Sequence, residues 1–408
     1  MAALPATARS ARSTGFVALA LAFASLAACE SEPSSVPAAP VDAEARAPDA
    51  SAPYDDAEQA PLALVDLSVL FPLPDDGGAG LWGADEAGAL GAILPSSLAL
   101  PPLSLPGAYP DAASERAALR VVSLRVDPCF QEGGADAPCQ PQIRLVFQPL
   151  EPGAGRVRFG DAAFHAFYTT TEPAVRALAE RLRVARVESR VPIQRSLLGA
   201  HPVLAAQGRG GSFARTLREG VLAQVGEASL TRITVLALAG RNNTWSFQSF
   251  AVKDAVLSPM ELRHLPPATE LQHLVSSGMG GHLELSVTPT STSPDTLEPG
   301  YRAGVATDEA TAQTLYPRVL RIENPRAHDN GTIDCVSCHV AAGVRRFVEA
   351  QPYPLDRSEA FTAREPLVVD DEAFVDTSVV HMFSYRGRVA LVSPRVVHET
   401  SHTLELLR

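Results

Sequence analysis

Aromatic residues are scarce at 6%, cysteines number only five, lysine is nearly absent, and basic groups are outnumbered, leaving a net charge of −12 over 408 residues. The shortage of positive charge excludes a general DNA or RNA binder, because an acidic protein repels the phosphate backbone. The excess of arginine over lysine reflects genomic composition and carries no chemistry. Gly-x-Ser-x-Gly does not occur. Gly208-Arg-Gly-Gly lacks the lysine and Ser/Thr of a phosphate loop and reads as a turn before a helix. After residue 28 no apolar run is long and continuous enough to cross a bilayer; those near 229–238 and 388–397 are short or interrupted. The 34 prolines and few aromatics predict many ordered loops and a modest core. At 46% hydrophobic and 20% charged, the chain can still build one large domain or two ordinary ones.

Residues 1–28 read as an export signal. Arg9 and Arg12 precede an apolar run from Gly15 to Ala28, too short to span a membrane comfortably and ending in small residues. Leu26-Ala27-Ala28-Cys29 resembles the lipobox of bacterial lipoproteins. That resemblance implies cleavage before Cys29 and acylation of its thiol by chains such as palmitate. It places the protein in the cell envelope, anchored to the outer or inner membrane and facing the periplasm or the outside. Residues 29–60 follow as a tether. From Glu30 onward they hold eight acidic residues, one arginine and repeated proline, a composition that buries too little to repay ordering.

Cys129 and Cys139 sit ten apart, flanked by strand-like Leu119 to Val126 and Ile143 to Phe147, with Gly133-Gly134 between them. No histidine lies near enough to suggest a metal pair. A disulfide closing a polar loop between two strands is expected, worth about 2–3 kcal/mol for a loop of this length.

The last two cysteines stand in Asp334-Cys335-Val336-Ser337-Cys338-His339. Cysteines three apart share one face of a helical turn, and the histidine follows directly. Val336, Val340, Val344 and Phe347 recur at helical spacing, and Asp334 suits the start of the helix. The motif resembles the haem attachment site of c-type cytochromes. The resemblance implies haem c bound through thioethers to Cys335 and Cys338, with His339 as proximal iron ligand and the valine stripe against the ring or the sheet. Other readings are a surface disulfide with an incidental histidine, a thioredoxin-type thiol pair, and half of a zinc site. The loop-like Asn324-Pro-Arg-Ala-His-Asp-Asn-Gly before the motif argues against thioredoxin, and no spare thiols remain to complete a zinc site.

A small cytochrome c carries its motif near its start and a distal methionine later; here only 69 residues follow His339. Met382, the only methionine after the motif, is the leading distal candidate. Its neighbour His381 and the upstream His328 are alternatives, and His398 with His402 would share a face if 394–407 is helical. An open iron site would permit peroxidase-like chemistry. A closed one favours electron transfer, with a redox protein as partner. The rival from another class is a lipid-anchored structural or binding protein with a Cys335–Cys338 disulfide and no haem.

Residues 61–287 read as an α+β body with a mixed or antiparallel sheet, a few packed helices and no chemistry of their own. Strands are predicted near Leu62 to Phe71, 119–126, 143–150, 163–169, 230–238, 245–252 and 281–287. Helices are predicted at 172–187 and 213–225. The Thr/Ser/Pro-rich run 288–300 separates this body from a haem-attachment segment, 301–408, with a cytochrome c-like helix in an otherwise atypical setting. Its final pair of strands, Thr377 to Tyr385 and Arg388 to Val392, could complete the sheet. Composition, lipobox and motif resemble lipoproteins of predatory soil bacteria, a class that supplies no activity.

Overall fold

The computed structural model describes residues 60–408 apart from 75–77, 79, 132–136, 152–156, 241–243, 280–281, 299–307 and 371–379. The export signal with Cys29, and the tether up to residue 59, lie outside the described residues.

Eight helices and thirteen strands are described, and the protein is α+β with an antiparallel main sheet. That sheet has nine strands: β1 (Ser68–Leu70), β4 (Leu119–Phe130), β5 (Gln140–Pro149), β6 (Ala163–Thr169), β7 (Leu230–Gly240), β8 (Thr244–Lys253), β10 (Leu271–Met279) and β11 (His282–Thr288) in that order, with β9 (Val256–Pro259) on β8. Two short hairpins stand apart from it, β2 (Ala87–Gly88) with β3 (Gly91–Ala92), and β12 (Phe383–Arg386) with β13 (Val389–Val392).

Cross-strand partners share a face, so the register sorts the side chains. One face carries Leu145, Phe147, Phe164, Tyr168, Ile233 and Val235, all buried, with Phe147 stacked on Phe164 at 4.7 Å. Helices α3 (Glu172–Glu188) and α5 (Ser212–Leu222) bury Val175, Leu178, Leu182, Phe213 and Leu217 in the same core. Two short helices, α2 (Ala112–Ala118) and α4 (Pro202–Gln207), lead into β4 and α5. The other face carries Ser123, Arg125, Arg144, Val146, His165, Arg232, Thr234, Leu236 and Phe247. Over it lie α7 (Cys335–Glu349), α8 (Pro394–Leu407) and the β12–β13 hairpin.

The C-terminal hairpin does not extend the main sheet. It docks on the face through side chains: Ser123 Oγ donates to the Phe383 carbonyl (2.6 Å), while the Gln148 amide both donates to the Tyr385 carbonyl and accepts from its N–H (2.8 Å each). Its turn falls at Gly387, whose φ of 57° suits glycine. The described part of the expected Thr377–Tyr385 strand begins only at Phe383; 371–379 lie outside the described residues.

All described residues belong to one compact unit, so the run 288–300 does not mark an independent C-terminal domain. The reason is a shared core. Trp245, Phe247 and Leu274 of the sheet pack with Leu315, Tyr316 and Val319 of α6 (Glu309–Glu323) and with Val336, Val340 and Val344 of α7. The α7 valine stripe therefore faces sheet and helix. The 62–71 segment is a short helix, α1 (Leu64–Leu67), running into β1, where the sequence predicts one strand. The Cys129–Cys139 disulfide forms and ties the end of β4 to the start of β5.

Candidate functional site

The first turn of α7 is held from below. Asp334 is its N-cap: the carboxylate Oδ1 accepts from Ser337 N (3.0 Å) and from Gln272 Nε2 of β10 (3.1 Å). Gln272 Oε1 in turn accepts from Val336 N at 3.1 Å. Both side chains are buried, so one sheet amide satisfies a helix-end donor and orients the cap in a place water cannot reach. Replacing Gln272 by leucine leaves the Val336 N–H unpaired and Asp334 with one fewer donor. With about 1–3 kcal/mol per orphaned buried group, the expected loss is about 3 kcal/mol in urea denaturation. A change within about 0.5 kcal/mol, the spread of a neutral surface substitution, would show that the clamp carries no stability.

Three side chains of that turn face one cavity. Cys335 and Cys338 carry free, half-buried thiols, and His339 stands beside them. Burial pushes the Cys335 thiol up to about 12 and Cys338 to about 11, so both are neutral at pH 7. A redox-active thiol pair relies on a lowered thiol pKa, the reverse of this environment.

His339 is oriented by the chain itself. Its Nδ1 lies 2.7 Å from the Val380 carbonyl, which can only accept, so Nδ1 carries the proton and Nε2 is left as the acceptor. Burial lowers its pKa despite the Val380 bond, which keeps the ring neutral. The ring meets Phe247 of β8 edge-on at 5.1 Å. A backbone carbonyl on one imidazole nitrogen fixes the tautomer and raises the basicity of the other, as metal-binding histidines require.

The cavity has a volume of about 140 Å³. Its floor is the polar face of the sheet, with Arg144, Val146, His165, Phe167, Arg232 and Leu236; α7 and α8 close it together with the segment from Val380 to Ser384. Arg144 and Arg232 lie over the Phe167 ring at 5.3 and 4.5 Å. Arg125 pairs with Glu399 of α8, which Arg395 also holds at 2.6 Å.

Of the distal candidates that the sequence offers, Met382 and His381 line this cavity. His381 is buried, with Nδ1 3.1 Å from Ser384 Oγ, its ring edge-on to Trp245, and Nε2 buried without a hydrogen bond. His328 is elsewhere: Nε2 bonds Asp295 (2.8 Å) and Nδ1 bonds Thr332 (3.1 Å), so both nitrogens are engaged. His398 bonds the Glu323 carbonyl and packs on Phe361, and His402 lies near Glu405; neither lines the cavity. Sequence reasoning does not reach Gln272, Val380, the arginines of the floor, or His165. Only His165 leaves a trace: an imidazole between Ala163 and Phe167 on a strand whose alternate positions are apolar.

The donor chemistry fits a covalently held haem: two thiols three apart on one helical turn, followed by an imidazole with Nε2 free. The space is tighter. Pockets for drug-sized ligands run about 300–1,000 Å³, so a porphyrin would have to displace side chains of the wall. No group of three or more His, Cys, Asp or Glu side chains is gathered to hold a bare metal ion among the described residues. No family model, curated protein or solved structure matches the chain.

Proposed function

We propose that the protein is a lipid-anchored, monohaem c-type cytochrome-like electron carrier of the cell envelope, with α7 as its haem-attachment helix. The observation that carries this reading is the bond from His339 Nδ1 to the Val380 carbonyl. It prepares Nε2 of the histidine that follows two neutral, free thiols as a ligand atom. Cys335 and Cys338 hold the porphyrin and His339 binds iron from the proximal side. Haem c, when bound, supplies a one-electron couple. Phe247 restrains the His339 ring, Gln272 fixes the turn that bears the thiols, and the apolar and arginine-lined wall limits solvent access, which tunes a redox centre. The lipobox cysteine, Cys29, supplies the membrane anchor. The redox partner is a protein that meets an acidic surface.

The test uses the full chain, exported in cells that carry the c-type maturation machinery. The expected product is membrane-bound and coloured, and its mass retains one haem after acid and denaturant; Cys29→Ser moves it to the soluble fraction with the haem intact. Colourless protein lighter by two hydrogens at Cys335 and Cys338, from cells that mature a control cytochrome, overturns the haem reading in favour of a disulfide-bearing lipoprotein.

A further inference from the structure

We infer that the chain, where no porphyrin has been attached, binds one copper(I) ion between the sulfurs of Cys335 and Cys338. This does not rest on the haem reading. Thioether bonds to a porphyrin consume both thiols, so the two occupants exclude one another.

The first argument is size. A porphyrin would have to displace the wall of the cavity of about 140 Å³, whereas a single ion enters it as it stands. The second argument is donor chemistry. Both thiols are free and half-buried, stand three residues apart on the first turn of α7, and line this cavity. The Met382 thioether lines it too, and so does His381, whose buried Nε2 makes no hydrogen bond. Sulfur with neutral imidazole suits a soft cation, and excludes the hard ions that prefer carboxylate and water. Zinc also accepts thiolate, but a structural zinc site takes four ligands in a tetrahedron. No group of three or more His, Cys, Asp or Glu side chains is gathered to hold a metal ion among the described residues. Copper(I) is satisfied by two thiolates alone, so the pair on one turn suffices.

The third argument is charge. Binding releases both thiol protons to solvent and leaves two thiolates on one monovalent ion, with no change of oxidation state. The product is a partly buried anion, which needs cations near it. Arg144 and Arg232 line the floor of the cavity, where Arg232 favours a thiolate at Cys335 and Arg144 one at Cys338. The start of α7, where both thiols sit, adds the positive end of the helix dipole. Asp334 and Glu399 act the other way, but each is matched: Asp334 Oδ1 accepts from Ser337 and Gln272, and Glu399 pairs with Arg125 and Arg395.

The test uses the full chain carrying Cys29→Ser, which removes the lipidation thiol, made in cells without the c-type maturation machinery. After mild reduction to two free thiols, copper(I) is added without oxygen, in competition with the coloured chelator bicinchoninate. The expected result is one copper per chain withdrawn from the chelator, with two sulfur neighbours in its X-ray absorption spectrum. Cys335→Ser and Cys338→Ser each abolish uptake while the far-ultraviolet circular dichroism stays as in the parent, and added zinc(II) leaves the copper in place. No uptake, copper surrounded only by nitrogen and oxygen, uptake that survives either substitution, or displacement by zinc overturns the assignment. The absorption spectrum needs no cysteine variant, so it decides the matter even where a substitution unfolds the chain. Failed uptake overturns the copper site alone. Colourless protein from cells that mature a control cytochrome overturns the haem reading alone.

Discussion

Between pH 7 and pH 5 the chain loses about 3 kcal/mol of stability, well before its carboxylates are protonated in bulk. The cause is a set of histidines folded in their neutral form. His201 is fully buried, stacked on Phe213 at 4.3 Å and accepting from Leu204 N; burial draws its pKa down to about 3. His381 is drawn down to about 3 in the same way, with His339 and Arg386 adding to the effect. In the unfolded chain both titrate near 6.5, so below that value the unfolded state binds protons the folded state refuses. Stability is therefore complete above pH 6.5 and lost as pH falls toward the folded values. At about 1.4 kcal/mol per unit for each, His201 and His381 together remove about 4 kcal/mol by pH 5. Glu323 opposes them. Burial raises its carboxyl to about 7, so it favours the folded state as pH falls, returning about 2 kcal/mol over this range. His165 and His398, lowered to about 3 and about 4, act in the same direction as His201. Both are only partly buried, and discounted for solvent they add about 1 kcal/mol, which brings the net to about 3. Urea denaturation followed by far-ultraviolet circular dichroism at the two pH values measures the difference. An unchanged midpoint would mean that these histidines are hydrated in solution.

The same neutrality bears on the site. Three imidazoles around the cavity, His165, His339 and His381, all have depressed pKa values, and His339 helps to lower both of the others. At pH 7 none is protonated, so the cavity offers lone pairs where charged rings would repel one another and a cation.

What the sequence makes legible is local. Cys335, Cys338 and His339 fall within five residues, and helical spacing alone puts them on one turn. The strands expected at 163–169 and 245–252 announce themselves by apolar and aromatic residues, whereas a helix over Pro394–Leu407 enters the sequence reading only as the condition for His398 and His402 to share a face. Strand β10, Leu271–Met279, escapes prediction because its sequence Leu-Gln-His-Leu-Val-Ser-Ser-Gly-Met mixes polar and small residues. Gln272 faces the interior there because it satisfies the end of α7, a need created by residues more than 60 positions away. The valine stripe is visible in the sequence but its partner is not, since the choice between ring and sheet depends on how α6 and α7 pack. The polar floor is hidden for a related reason. Ser123, Arg125 and Asp127 alternate with Leu124 and Val126, which by pattern alone marks a solvent face. Here that face is roofed by α8 and the charges are paired beneath it.

That roof gives the second large effect: Glu399→Gln is expected to cost about 3–5 kcal/mol at pH 7. Burial by itself would raise the Glu399 carboxyl, but Arg395, Arg125 and Arg144 outweigh it and hold the group down at about 2. Arg395 reaches it at 2.6 Å from within α8, Arg125 from β4, and Arg125 also donates to Thr403 at 3.1 Å. Asp127, 3.7 Å from both Arg125 and Arg144, is the other anion of the cluster. Neutralising Glu399 leaves three buried guanidinium groups near that position, and an uncompensated buried charge costs more than the lost attraction alone. Because the folded carboxyl titrates below its ordinary value of 4.5, its contribution is present above that pH and fades toward pH 2. The gap between wild type and variant should close on acidification, in contrast to the histidine effect, which sets in near pH 6.5 and is common to both proteins. Glu399 lines the cavity but binds neither thiol nor imidazole. The haem content per folded molecule is accordingly expected to match wild type while the urea midpoint drops. A loss below about 1 kcal/mol at pH 7, the worth of an exposed pair, would show the cluster to be hydrated. An intact midpoint with lost haem would instead make Glu399 part of the haem site, and its place on α8 would then need a role in recognising the group.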